Sequence, residues 1–288
     1  MASLITLLQI LVVGSYSTGY NLLYSVAKSL CTWSNGTSLE MISTIYDFIQ
    51  PIGLTLALCF ALVEMIEAVT RSGSNNVTVE VVIMPLIKFG IAYLIIANGI
   101  EIISTILSGS NAFCDWVDSQ FGAVDDFALT DTSLTVNGIL AKILLEYIPS
   151  FISLLSQIIA ALVVGVQLIS IRLEVLVRAM FFPIAVADIS GRGAYSGGMR
   201  YVKNFLGNLF LLGTILIVIK LTYYVCVDLT TFSISGVLDS WNAKDPSGMA
   251  SNLFSGVFSM IFNGLIGPFA CISAISTVKS MIREAFAG

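Results

Sequence analysis

Histidine is absent from this 288-residue chain, which removes the commonest metal ligand and the commonest general base. Charge is scarce as well: Asp, Glu, Lys and Arg make up 11% of the residues, against roughly 25% in a soluble domain. The five cysteines (Cys31, Cys59, Cys114, Cys226 and Cys271) stand singly, without a Cys-x-x-Cys pair. That argues against metal ligation and thioredoxin-like redox chemistry. No zinc-protease, nucleophile-elbow or phosphate-loop pattern occurs. The expectation is a protein that is not an enzyme and holds no cofactor or metal. The net charge of −5 comes without a basic tail or a Lys/Arg cluster, so direct sequence-specific nucleic-acid binding is not expected either. The N-terminus lacks a basic n-region and a small-residue cleavage site, and is read as retained.

What the chain has in abundance is apolar length. Hydrophobic residues make up 57%, and the mean hydropathy is +0.94. Runs of about 20 apolar residues mark membrane spans. Six such stretches fall at about 4–26, 45–69, 81–107, 139 or 149–171, 205–227 and 250–278. They predict an all-α polytopic bundle of five or six segments, filling residues 1–288 as a single membrane domain. The first stretch, within 1–30, gives way to small and polar residues, and either spans or lies along the interface as an amphipathic helix. Residues 250–278 form the last span.

Lys and Arg in short loops set orientation. Residues 108–137 contain no basic side chain and five aspartates, Asp115, Asp118, Asp125, Asp126 and Asp131. This acidic loop goes outside. Arg71, Arg192, Arg200 and Lys203, with Lys279 and Arg283 near the C-terminus, go to the cytoplasm. Trp33, Trp116 and Trp241 then fall in outer-side loops, where an aromatic belt would anchor them. These assignments predict a multi-pass protein of a bacterial cytoplasmic (inner) membrane with a cytoplasmic C-terminus.

One crossing must join the outer loop to the inner basic loop, and a helix ending near Ile171 supplies it. Residues 172–203 are therefore read as a basic elbow on the cytoplasmic side, after the fourth segment. There Arg172 and Arg178 snorkel toward anionic phospholipid headgroups. Glu174 pairs with Arg178 four residues on. Pro183 interrupts the helix and turns the chain before Asp188. An arginine at a span's centre would instead cost about 2.5–3.5 kcal/mol on insertion scales.

Lys88 and Glu101 are intramembrane charges thirteen residues apart on the third segment. They suit either an ion pathway or snorkelling at the two ends. Glu64, Glu67 and Arg71 read as a solvated helix end. In the last span Ser251, Ser255, Ser259, Asn263 and Gly267 recur every fourth residue and continue to Cys271. Such a stripe of small side chains permits close helix contact, within the chain or between copies. Cys31 and Cys114 share the outer side in this topology, which allows a disulfide between them.

From Arg172 onward the order "RLEVLVRAMFFPIAVADISG", a Gly/Ser turn and "RYVKNFLGNLF" resembles the TrbL-like family, polytopic inner-membrane components of conjugation and type IV secretion machines. The resemblance is strongest over residues 165–227 and covers the remainder only as general layout. It implies a scaffold or channel component of the DNA-transfer machine, assembling as a homo-oligomeric ring of five copies and meeting other secretion-machine subunits. Arg172, Glu174, Arg178, Pro183, Asp188, Arg200 and Lys203 would form its cytoplasmic-side lipid or partner contact. Two other classes stay open: a stand-alone small-solute or ion transporter using Lys88, Asn98 and Glu101, and a membrane accessory or immunity protein.

Overall fold

A backbone amide buried in hydrocarbon has no water to bond, so long apolar segments must satisfy their polar groups internally as helices. A computed structural model of the chain describes residues 15–33, 37–72, 79–121, 148–242 and 246–287, and those residues are helical with no strand among them. In chain order the helices are α1 (Ser15–Cys31), α2 (Thr37–Ser72), α3 (Val79–Ala97), α4 (Gly99–Phe121), α5 (Ile148–Met180), α6 (Phe182–Ala187), α7 (Ile189–Arg192), α8 (Gly197–Asn242) and α9 (Pro246–Ala287). Four of them are long and apolar enough to cross a membrane, and the pair α3–α4, bent by 65°, makes up to five. Prolines 51, 85 and 268 lie inside α2, α3 and α9.

Several expected boundaries move. The third segment is not one helix: it breaks at Asn98 into α3 and α4. The Asn98 amide side chain donates to the Leu94 carbonyl at 2.9 Å. The carbonyl of Ile96 accepts from the Tyr46 hydroxyl at 2.8 Å and from Gln50 at 3.2 Å. Groups freed by the bend are thus satisfied by α2, which is why a break is tolerated in an apolar stretch. The acidic loop expected from residue 108 is helical through Phe121, so Asp115 and Asp118 project from α4. Asp125, Asp126 and Asp131 lie outside the described residues.

The helix expected to end near Ile171 does not end there. α5 runs on to Met180, carrying Arg172, Glu174 and Arg178 on a continuous 33-residue helix. Its break falls at Phe181, two residues before Pro183, whose missing N–H and ring cannot follow the turn above. α6, α7 and a 3-10 turn at Gly193–Tyr195 then lead into α8. Ser196 accepts from the Met199 amide at 3.1 Å, the bond expected of a helix N-cap. Arg200 and Lys203 lie in the first two turns of α8, not in a loop.

The chain forms two compact units. One contains Met1–Cys31, Cys114–Leu168 and Gly213–Val278, and the other Thr32–Phe113, Ile169–Leu212 and Lys279–Gly288. In the second, α2 packs along α3 and against α6 and α7. Gly53 allows that approach, since a Cβ there would lie 2.7 Å from the Pro183 Cβ. Ser190, fully buried, places its hydroxyl 2.8 Å from the Ala57 carbonyl. In the first unit Tyr20 meets Tyr223 edge-on, with ring centroids 5.0 Å apart. Gly267 faces the Cys226 sulfur and the Tyr20 hydroxyl, which a Cβ would approach to 2.8 and 3.0 Å.

Candidate functional site

The i,i+4 spacing of Glu174 and Arg178 puts both on one face of α5, and a second arginine arrives from the end of α9. Arg178 donates to Glu174 Oε1 through Nη2 at 2.9 Å and Nε at 3.2 Å. Arg283 donates to Glu174 Oε2 at 2.7 Å. The Tyr201 ring of α8 lies 5.3 Å from the Arg178 guanidinium, within cation–π range. Its hydroxyl donates to the Arg178 carbonyl at 2.9 Å. Beside this group runs an open groove of about 650 Å³, walled by Leu173, Val177 and Phe181 together with Glu174, Arg178 and Tyr201. The site is a net-positive ion network bordering an apolar channel.

Other residues singled out in the sequence do not join it. Asp188 accepts from the Gly197 amide at 2.7 Å and closes the turn into α8. Pro183 is buried against Gly53. Arg200 and Lys203 are exposed. Arg172 stacks its guanidinium over the Trp33 ring, 4.6 Å from the centroid. That contact overturns one expectation, because Trp33 and Arg172 cannot stand at opposite membrane faces while touching. Trp116 likewise sits on α4 and not in a loop. Because an indole and a snorkelling arginine both favour the interface, sharing one boundary is chemically consistent.

Lys88 is paired with Glu64 of α2, so Glu64 belongs to an interhelical ion pair and not to a solvated helix end. Glu67 and Arg71 do pair, at 2.7 Å. Glu101 is exposed in the first turn of α4. Gly267 lies against Cys226 and Tyr20 of its own unit, a close helix contact within the chain. The side chains of Ser251, Ser255, Ser259 and Asn263 lie outside the described ones. No disulfide joins Cys31, Cys59, Cys114, Cys226 or Cys271, and the Cys114 sulfur lies 4.0 Å from the Cys31 carbonyl oxygen.

A second charge cluster, in the other unit, was not anticipated. Asp118 accepts from Lys28 at 2.6 Å and from the Tyr24 hydroxyl at 2.8 Å. Lys220, 1% exposed, lies over the Tyr24 ring at 4.1 Å. The bond to Asp118 is the main reason the Lys28 ammonium is held above its ordinary range, and burial followed by the same carboxylate pushes the Tyr24 phenol up. The signal was present: Lys220 sits inside "LLGTILIVIKLTYYV", an intramembrane charge by the rule that picked out Lys88 and Glu101. Among the described residues no group of His, Cys, Asp or Glu is arranged to hold a metal.

No protein family, no curated protein and no solved structure matches this chain.

Proposed function

We propose that this chain is a multi-pass scaffold or channel subunit of a type IV secretion machine in a bacterial cytoplasmic membrane, assembling with copies of itself into a ring. The observation that carries the reading is the bare apolar face of α2. Only 17% of its most apolar stretch is buried, against 61% in the span Gly197–Cys226. Phe48, Ile52, Leu58, Leu62 and Ile66 all face outward. A helix so little covered by its own chain needs lipid or a neighbouring copy, and a repeated subunit supplies the same neighbour at every position.

A cytoplasmic C-terminus fits the same picture. The Arg178–Glu174–Arg283 contact draws together the end of α5 and the end of α9, and the Tyr201–Arg178 contact adds the start of α8. Arg178, Arg200, Lys203, Lys279 and Arg283 are then gathered at three adjoining helix ends, which favours the cytoplasmic side for all of them. The interfacial role of the segment around Pro183 and Asp188 follows from this orientation. The ion-transporter reading loses ground because Lys88 is already paired with Glu64.

Imaging of particles purified in mild detergent tests the proposal, and a symmetric ring is the expected result. Monodisperse monomers across the accessible concentration range would defeat it. Within the ring, charge reversal at Arg172 and Arg178 together is expected to abolish assembly or transfer. Full transfer by a well-expressed Arg172→Glu/Arg178→Glu variant would remove these residues from the contact surface.

A further inference from the structure

Leu173 and Val177 on α5 and Phe181 at its break follow one another at i,i+4, each about half exposed (56%, 51% and 47%). Glu174 and Arg178 form the adjacent stripe, and Tyr201 closes the groove from α8. We infer that this groove is a specific site for one anionic glycerophospholipid, with an acyl chain along Leu173, Val177 and Phe181 and the phosphodiester against Arg178 and Arg283. The inference rests on the membrane orientation argued above and names the lipid class this face selects.

Three features decide the occupant. The groove is open along its side and holds about 650 Å³, room for part of an acyl chain lying along the helix. The apolar wall is continuous for two helical turns, so in a bilayer it is covered by hydrocarbon. Charge supplies the selectivity: two guanidiniums against one carboxylate leave a single positive charge, which one phosphodiester neutralises. A zwitterionic lipid brings its own cation into the same space and gains less. Glu174 holds both guanidiniums in fixed positions, so little side-chain freedom is lost when the headgroup arrives. A second protein copy suits the groove less well, because covering it would desolvate three charges that a headgroup leaves at the interface.

Native mass spectrometry of the full chain, offered equal amounts of phosphatidylglycerol and phosphatidylcholine with matched acyl chains, tests the assignment. One phosphatidylglycerol should be retained per chain, preferred by about fivefold as expected for one net positive charge near an anionic group. Arg283→Gln leaves the Arg178–Glu174 pair in place and should lose most of that preference. Val177→Trp fills the groove and should lower retention of both lipids. Arg71→Gln, altering an exposed arginine paired to Glu67, should change nothing. Equal retention of the two lipids by the unaltered chain overturns the site, as does an anionic preference that survives Arg283→Gln. A dimer that excludes lipid and dissociates on Val177→Trp would give the groove to a second copy and equally overturn it. A ring that carries no phosphatidylglycerol defeats this inference alone. A lipid-loaded monomer that never assembles defeats only the ring.

Discussion

Replacing Gly99 by alanine is expected to destabilise the chain by about 2–4 kcal/mol, combining the costs of overpacking and of a buried orphaned carbonyl. A Cβ at residue 99 would stand 1.8 Å from the Tyr46 hydroxyl oxygen and 2.7 Å from its Cζ. Tyr46 is completely buried and its ring is rigid, so it cannot swing aside as a lysine would. Moving it breaks the bond to the Ile96 carbonyl, which the bend at Asn98 has freed from the helix ladder. Gln50 holds that carbonyl only at 3.2 Å and cannot replace the phenol fully. Thermal unfolding in detergent provides the measurement. Gly90→Ala is the control, since nothing lies within 4 Å of its Cβ position. It should be neutral or stabilising by up to about 1 kcal/mol, the helix preference of alanine over glycine. In a Tyr46→Phe background the penalty at Gly99 should shrink, because the nearer of the two clashing atoms, the hydroxyl oxygen, has gone while Cζ remains. Equal effects at Gly90 and Gly99, or strict additivity with Tyr46→Phe, would sink this account of the bend.

That bend marks the limit of what apolar periodicity can say. Hydropathy identified the all-helical class because hydrocarbon leaves the backbone no other solution, and the described residues are overwhelmingly helical, with four or five long apolar helices. It said nothing about where a helix stays continuous. Residues 81–107 read as one segment because Asn98-Gly99 is only a brief polar interruption, and the compensating donors, Tyr46 and Gln50, come from about 50 residues away in sequence. The end of α5 was placed too early for a related reason. Arg172 looked like a boundary, but an arginine stacked on Trp33 can sit within a continuing helix. Local pairs were legible: Glu174 with Arg178 and Glu67 with Arg71 follow from i,i+4 spacing alone. The long-range partners, Arg283 for Glu174 and Glu64 for Lys88, were not, since no spacing rule joins residues 109 or 24 positions apart.

The same gap hid the cluster around Asp118, whose removal should have the second large effect. Asp118→Ala deprives Lys28 of its counter-ion and Tyr24 of its acceptor at once. Lys220, over the Tyr24 ring, then faces Lys28 with no nearby carboxylate from Asp118 between them. Breaking a fully buried ion pair from one side costs about 3–5 kcal/mol. Here the two side chains are 38% and 33% exposed, so screening lowers the expectation to about 2 kcal/mol. Asp118→Asn should cost less, because the amide oxygen still accepts from Tyr24. Lys28→Met should also cost less, since Asp118 keeps its phenol partner. In the double variant the two losses should sum to less than their separate values, the mark of a direct pair. The pH dependence has a definite sign. Lys28 has a raised folded pKa, so its contribution is complete at neutral pH and is lost only as pH rises through that folded value. Unfolding midpoints of the original and the four variants in detergent, from pH 7 to above the ordinary lysine value of 10.5, check both points. An Asp118→Ala protein as stable as the original, or a double variant whose losses simply add, would mean that α1 is held to α4 by apolar packing and not by this ion pair.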